Sequence, residues 1–338
     1  MISSKNFILI TAGDPASIST EITIKAIESK KRNQNIKSIV ITDPNLVEEN
    51  KALLKSNIKI HEISDIVNFA DYKDGYFNII SLKLNNKINF GKPDIKNFSF
   101  IRSSITTATD LYFKSVASAI VTNPINKYIM HEAGFNFEGH TDFLATLSLK
   151  KNKPVMMLVT SELKTLPLTI HVPLKKVPNL ITKDLICSNV KIAAEALKTY
   201  FNIKRPSIIV TGLNPHAGEN GDFGDEELNI IKPAIDELRN LDNMCLSGPI
   251  SADTAFSLTR RSKYDLAVCM YHDQALIPIK TLDFNNGVNV TLGLDFIRTS
   301  PDHGTGFDIA GKNMANPESL IAAVNLAYDM CVNKKNAK

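Results

Sequence analysis

What most constrains this chain is an alternation of short apolar, β-branched runs with longer amphipathic stretches. The runs lie at Phe7–Thr11, Ser38–Thr42, Ala117–Val121, Val155–Val159, Ser207–Val210 and Asp265–Met270. Between them, Ser19–Lys30, Ile105–Val116, Leu185–Tyr200, Glu226–Arg239 and Pro317–Cys331 read as helices. Runs too apolar to alternate, separated by helices, point to an α/β architecture with substantial parallel sheet. In Leu185–Tyr200 the apolar positions Leu185, Val190, Ala193, Ala194 and Leu197 recur near helical spacing, which assigns them to the core. Asn50–Asn97, rich in Lys, Asn and Ile, reads as peripheral strands and loops of a first lobe.

With 338 residues, 43% of them hydrophobic, the chain is long enough for two closely packed lobes. No fixed-period repeat and no long Gly/Ser or Pro linker interrupts it, which argues against a solenoid and against loosely tethered domains. The expected division is residues 1–140 plus 300–338 in a first α/β/α lobe and 141–299 in a second, with a ligand cleft between lobes.

The formal charge is +4, but Lys and Arg are dispersed among nearly as many acidic residues, so no nucleic-acid footprint appears. The excess suits a small anion. The four cysteines, Cys187, Cys245, Cys269 and Cys331, lack C-x-x-C spacing and read as reduced core thiols. Neither a secretory leader nor an apolar run of about 20 residues is present, so no membrane partner is expected and the cytoplasm is the default compartment.

Unusual polar residues follow the apolar runs, where an open α/β sheet presents its carboxyl edge to ligands. Thr122-Asn123-Pro124-Ile125-Asn126-Lys127 and Gly139-His140-Thr141-Asp142 offer hydroxyls and a lysine to a ligand, or equally a turn and a helix cap. His171, His216 and His272 each stand at a strand end. One such histidine would read as structural. Three in one topological position describe a catalytic metal site, with coordination positions left for water or substrate. Asp253 and Asp273 are placed to orient those rings, to move a proton, or simply to cap helices.

Neither G-x-x-x-x-G-K-[ST] nor G-x-G-x-x-G occurs, which argues against a nucleoside triphosphate cradle and places any dinucleotide outside the standard Rossmann mode. Downstream, Lys280, Asn289 and Arg298 recur every nine residues and form a cationic, hydrogen-bonding set suited to phosphate or carboxylate.

Taken together, Gly13-Asp14-Pro15-Ala16 with Glu21, Pro124-Ile125-Asn126-Lys127, Gly139-His140-Thr141, His171-Val172-Pro173-Leu174, Gly212-Leu213-Asn214-Pro215-His216-Ala217-Gly218-Glu219, Ala252-Asp253-Thr254, Tyr271-His272-Asp273-Gln274, Ile297-Arg298-Thr299-Ser300 and Asp302-His303-Gly304-Thr305 closely resemble the 4-hydroxythreonine-4-phosphate dehydrogenase family of pyridoxal phosphate biosynthesis. The match runs nearly end to end.

The resemblance implies two α/β/α lobes of the isocitrate and isopropylmalate dehydrogenase type, and a homodimer with its active site at the subunit interface. It implies a divalent metal (zinc, magnesium or cobalt) on His171, His216 and His272, and substrate contacts from His140, Thr141, Lys280, Asn289 and Arg298. The implied reaction oxidises 4-phosphohydroxy-L-threonine with NAD or NADP to 2-amino-3-oxo-4-phosphooxybutanoate, which decarboxylates to 3-amino-2-oxopropyl phosphate. A sister group acts on D-threonate or D-erythronate 4-phosphate, and a metal-dependent phosphatase would draw on the same residue types. Three imidazoles favour zinc or cobalt over magnesium.

Departures from the family pattern fall at Ser17, Ser19 and Thr20, where glycines and a proline are usual, at Ala275, where glycine is usual, and at Asp222-Phe223, where His-Met is usual. None is a metal ligand in the implied set.

Overall fold

The computed structural model describes residues 7–67, 69–134, 137, 139–149, 153–241 and 243–337. Its strands in chain order are β1 (Phe7–Thr11), β2 (Lys37–Thr42), β3 (Ile60–Glu62), β4 (Phe77–Ser81), β5 (Ala119–Val121), β6 (Val155–Val159), β7 (Lys164–Thr169), β8 (Ser207–Thr211), β9 (Cys245–Ile250), β10 (Leu266–Tyr271), β11 (Val288–Leu292) and β12 (Ile297–Pro301). The chain is a mixed α/β protein. It divides into two compact units, one running to Pro154 and including Leu294–Cys331, the other Val155–Gly293 with the residues from Val332 onward.

In the first unit the strand order is β3-β4-β2-β1-β5-β12. Every pairing is parallel. All five residues of β1 and all five of β12 are buried, so side chains on both faces of the sheet are covered. Helices form where the sequence supplies their ends. At Pro44–Leu54 the Asp43 carboxylate accepts from the backbone N–H groups of Asn45 and Leu46 and Pro44 opens the first turn. The helix Phe98–Phe113 buries Phe100, Ile101, Ile105, Ala108 and Leu111 on the β1 side of the sheet's core.

In the second unit the order is β11-β6-β7-β10-β8-β9. β11 and β6 run antiparallel, as do β6 and β7, whereas β7, β10, β8 and β9 are mutually parallel. Leu166, Val268 and Val210 are wholly buried at its centre, each contributing about 1.5–3 kcal/mol of apolar burial. The helix Lys183–Phe201 begins at Thr182, whose hydroxyl accepts from Leu185 N–H, and ends at Asn202 in the left-handed conformation. It buries Val190, Ala193, Ala194 and Leu197 as the sequence predicts, while Leu185 is only half-buried.

Two expectations change, and one helix gains detail. The crossings between units fall after Pro154 and Gly293 and not at 140 and 300, because the helix His140–Leu147 buries Phe143 and Leu144 in the first unit's core beside Leu294 and Phe296. Thr141 and residues 294–299 therefore sit in the first unit. The helix expected over Glu226–Arg239 is present, wound as a π-helix at Glu227–Ile231 and as an α-helix at Lys232–Arg239. Cys245 opens the edge strand β9 and is exposed, whereas Cys187, Cys269 and Cys331 are buried free thiols. Among the described residues no helix is long and apolar enough to cross a membrane.

Candidate active site

The register of the second sheet decides where its chemistry stands. Tyr271 of β10 pairs with Thr169 of β7, and Thr211 of β8 with Ile250 of β9, so four adjacent parallel strands end at one edge. From that edge the chain delivers His171 after β7, His216 after β8, Asp253 after β9 and His272 after β10. The His171 and His272 rings lie with centroids 5.9 Å apart, tilted by 43°. Asp273 Oδ1 is 2.7 Å from His272 Nδ1. Because a carboxylate only accepts, Nδ1 carries the proton and Nε2 presents the lone pair.

His216 stands beside Asp253 and has the Phe223 ring 6.1 Å away. The Ser251 hydroxyl, donating to Asp253, holds that carboxyl below its ordinary range, and the His216 ring adds to the effect. The structure thus pairs His171 with His272 and His216 with Asp253. Among the described residues it gathers no set of three His, Cys, Asp or Glu side chains around one point.

The loop that carries His216 has an uncommon backbone. His216, Ala217, Gly218, Glu219 and Asn220 are all left-handed, with φ between 40° and 81°. For the four residues other than glycine this conformation costs about 1 kcal/mol or more each. Glu227, 2% exposed, accepts from Leu213 N–H at 2.6 Å and Asn214 N–H at 2.8 Å. Gln274 knits the neighbouring strand ends together: its Oε1 accepts from Thr211 Oγ1 and Met270 N–H, both at 2.7 Å, and its Nε2 donates to Gly212 O at 2.9 Å. Neither residue stood out as functional in the sequence.

Also in the second unit, Asn289 lies on β11 opposite Leu158, and its Oδ1 is buried without a hydrogen-bond partner. Lys280, on the helix His272–Leu282, holds Nζ 5.1 Å from the centre of the Phe284 ring.

The first unit, taken by itself, has a cationic corner. Arg298 on β12 is 3% exposed, and its Nε and Nη2 both donate to Thr122 Oγ1, at 3.1 and 2.6 Å. Burial lowers its pKa to about 10. His140 opens the helix His140–Leu147, with Thr141 next to it. Burial, then the charges of Arg298 and Lys127, push the His140 imidazole well below its ordinary pKa and keep it neutral. Its Nε2 is buried without a hydrogen-bond partner. Buried polar atoms left unmatched are costly, so His140 Nε2 and Asn289 Oδ1 are positions at which a polar ligand fits. The donor set fits a metal in its chemistry as well: three imidazoles at one sheet edge, one of them already oriented by a carboxylate.

A family model described as pyridoxal phosphate biosynthetic protein PdxA matches residues 34–327. The chain belongs to the PdxA family. A PdxA relative from Bradyrhizobium diazoefficiens, named 4-hydroxythreonine-4-phosphate dehydrogenase, is 44% identical over 337 residues, covering 96% of this chain and 97% of its own. A protein of the same name from Methylorubrum extorquens is 41% identical over 334 residues, covering 97% and 95%. The crystal structure of the 4-hydroxythreonine-4-phosphate dehydrogenase of Klebsiella pneumoniae superposes with a TM-score of 0.87 at 34% identity, covering 96% of this chain and 99% of that one. As a PdxA protein the chain is an enzyme, and its named relatives are dehydrogenases.

Within the PdxA framework the departures in the first loop are absorbed locally. Ser17 Oγ donates to Asp14 O at 2.6 Å and lies 2.7 Å from Ser19 Oγ, which donates in turn to Pro124 O at 3.3 Å. Gly13, at φ +71°, is required: a Cβ there would lie 2.4 Å from Ser19 Oγ and 2.7 Å from Asn123 Cβ. Ala275 is wholly buried under β10, where its methyl group packs with Ala267 and Cys269.

Proposed function

We propose that this chain is a metal-dependent NAD(P) dehydrogenase. Its substrate is 4-phosphohydroxy-L-threonine, oxidised to 2-amino-3-oxo-4-phosphooxybutanoate, which decarboxylates to 3-amino-2-oxopropyl phosphate. The observation that carries this reading is the placement of His171, His216 and His272 at the ends of three adjacent parallel strands, with the His171 and His272 rings 5.9 Å apart, in a chain whose relatives bear that enzyme's name. Homodimerisation, with the active site at the subunit interface, and kinship with the isocitrate and isopropylmalate dehydrogenases belong to the same reading.

His171, His216 and His272 would hold the divalent ion through neutral ring nitrogens. When bound, zinc, cobalt or magnesium supplies Lewis-acid polarisation of the substrate hydroxyl, and NAD or NADP supplies the hydride acceptor. Arg298, with its fork fixed on Thr122, and Lys280 are assigned to the substrate's anionic groups. The neutral His140, with Thr141 and Asn289, is assigned to hydrogen bonds that fix the substrate's orientation. Asp273 orients His272. Asp253, kept ionised by the Ser251 hydroxyl, is in the state that accepts the hydroxyl proton at neutral pH.

Nicotinamide reduction should be followed on 4-phosphohydroxy-L-threonine and on D-threonate and D-erythronate 4-phosphates, with parent, chelated and metal-restored enzyme. The reading expects turnover of the amino-acid phosphate, lost on chelation and regained with zinc or cobalt. Turnover confined to a sugar-acid phosphate would reassign the substrate. Phosphate release without any dinucleotide would replace the dehydrogenase with a hydrolase.

A further inference from the structure

The left-handed turn at His216 is held from below by one buried carboxylate. Glu227 Oε1 takes the two backbone N–H groups that leave β8, at Leu213 and Asn214, and Oε2 takes the Asn214 side-chain amide at 3.0 Å. The same Oε2 closes the turn sterically. A Cβ on Gly218, at φ +81°, would lie 2.7 Å from it, and one on Gly212 would lie 3.0 Å from Oε1. So the two glycines flanking His216 are where the backbone seats on this carboxylate. Two neutral acceptors could satisfy the N–H groups, but only a carboxylate presents two acceptor oxygens on one rigid plane to three donors.

We infer that Glu227 is the positioning residue of the His216 site: it touches neither metal nor substrate, and its carboxylate sets the backbone turn from which the His216 ring reaches a bound ion. The inference rests on the reading of His216 as a ligand. Replacing the charge by an amide turns one acceptor oxygen into a donor facing Leu213 and Asn214 N–H or the Asn214 amide. The turn then loses its seat while the sheet beneath it keeps its core.

The full-length protein and its variants Glu227→Gln, Glu227→Asp and His216→Ala would be loaded with zinc in competition with a chromophoric chelator, and separately with cobalt(II) to read the visible d–d spectrum. Melting temperature and circular dichroism would be recorded on the same samples. The expected result is a folded Glu227→Gln protein that binds zinc about 10- to 100-fold more weakly, with an altered cobalt spectrum, the range typical for residues that orient a ligand. Glu227→Asp should recover part of the loss.

A folded Glu227→Gln protein with parental zinc affinity and spectrum, alongside a His216→Ala protein that has lost zinc, would overturn the positioning role alone. Parental zinc binding by His216→Ala would overturn the ligand reading itself. Should Glu227→Gln fail to fold, Asn214→Ala removes the contact to Oε2, with Glu226→Gln as its control because the same amide also donates to Glu226 Oε2 at 2.7 Å. Zinc binding weakened by Asn214→Ala and not by Glu226→Gln supports the role, and any other outcome overturns it.

Discussion

Asp273 Oδ1 lies 2.7 Å from His272 Nδ1, on a side chain that otherwise faces solvent. A surface pair of that kind adds little to stability, so its consequence lies in the ring it orients. With Nδ1 pinned as the donor, His272 leaves Nε2 as the ring's acceptor and cannot exchange tautomers freely.

Asp273→Asn should therefore weaken zinc binding by about 10- to 100-fold and lower turnover in parallel, with a melting temperature within about a degree of the parent. Chelator competition and a thermal melt on the same preparation check this. Unchanged zinc affinity would remove Asp273 from the metal's support.

A second expectation concerns Arg298, whose Nε and Nη2 both rest on Thr122 Oγ1. Lysine keeps the charge but loses the planar fork and the fixed angle. Arg298→Lys should bind the phosphorylated substrate about 10- to 100-fold more weakly, the loss of one charge-assisted hydrogen bond or two. Calorimetric titration of enzyme and variant measures it. An equal affinity would place the anion elsewhere.

His140 gives a pH dependence of definite sign. Its ring is held well below the ordinary value of 6.5 by burial first, then by Arg298 and Lys127. Below about pH 6.5 the unfolded chain takes up a proton that the folded chain refuses, so this stability is present above that pH and is lost as pH falls through it. His140→Gln removes the effect. Melting temperatures of parent and variant should run parallel above pH 6.5 and diverge below it, the parent falling faster. Parallel curves down to pH 5 would show that the ring protonates in the fold.

Much of this architecture was readable from local pattern, and the exceptions have physical causes. β1 and β6 are found residue for residue because nothing interrupts their apolar runs. β7 (KTLPLT) shows only through its end at Thr169, since Pro167 breaks the apolar run, and β9 (CLSGPI) is missing from the apolar runs because Gly248 and Pro249 interrupt it. β11 and β12 are masked by the polar residues that make them interesting, Asn289 and Arg298. The histidines were visible because each follows a recognisable strand or loop word. Glu227 and Gln274 were not, since their meaning is a set of backbone donors brought close by the fold. Of the left-handed run, only Gly218 left a trace in the sequence.

The buried carboxyl of Asp14 carries the opposite sign to His140. Burial raises it from 3.8 to about 6, against the smaller effect of the Ala16 N–H it accepts at 2.9 Å. Between those values the folded chain holds a proton that the unfolded chain has released, so stability falls as pH rises from about 3.8 through about 6, and the full cost is present above 6. That cost is on the order of 2–3 kcal/mol at neutral pH. Asn at this position keeps the acceptor for Ala16 and removes the charge. Asp14→Asn should therefore melt roughly 3 to 6 °C higher at pH 7.5 and show no advantage at pH 4. A variant no more stable at pH 7.5 would mean that the carboxylate is stabilised by a partner that burial alone does not reveal. A variant more stable but inactive would mean that the charge is retained in the β1 loop for the reaction, against the interest of the fold.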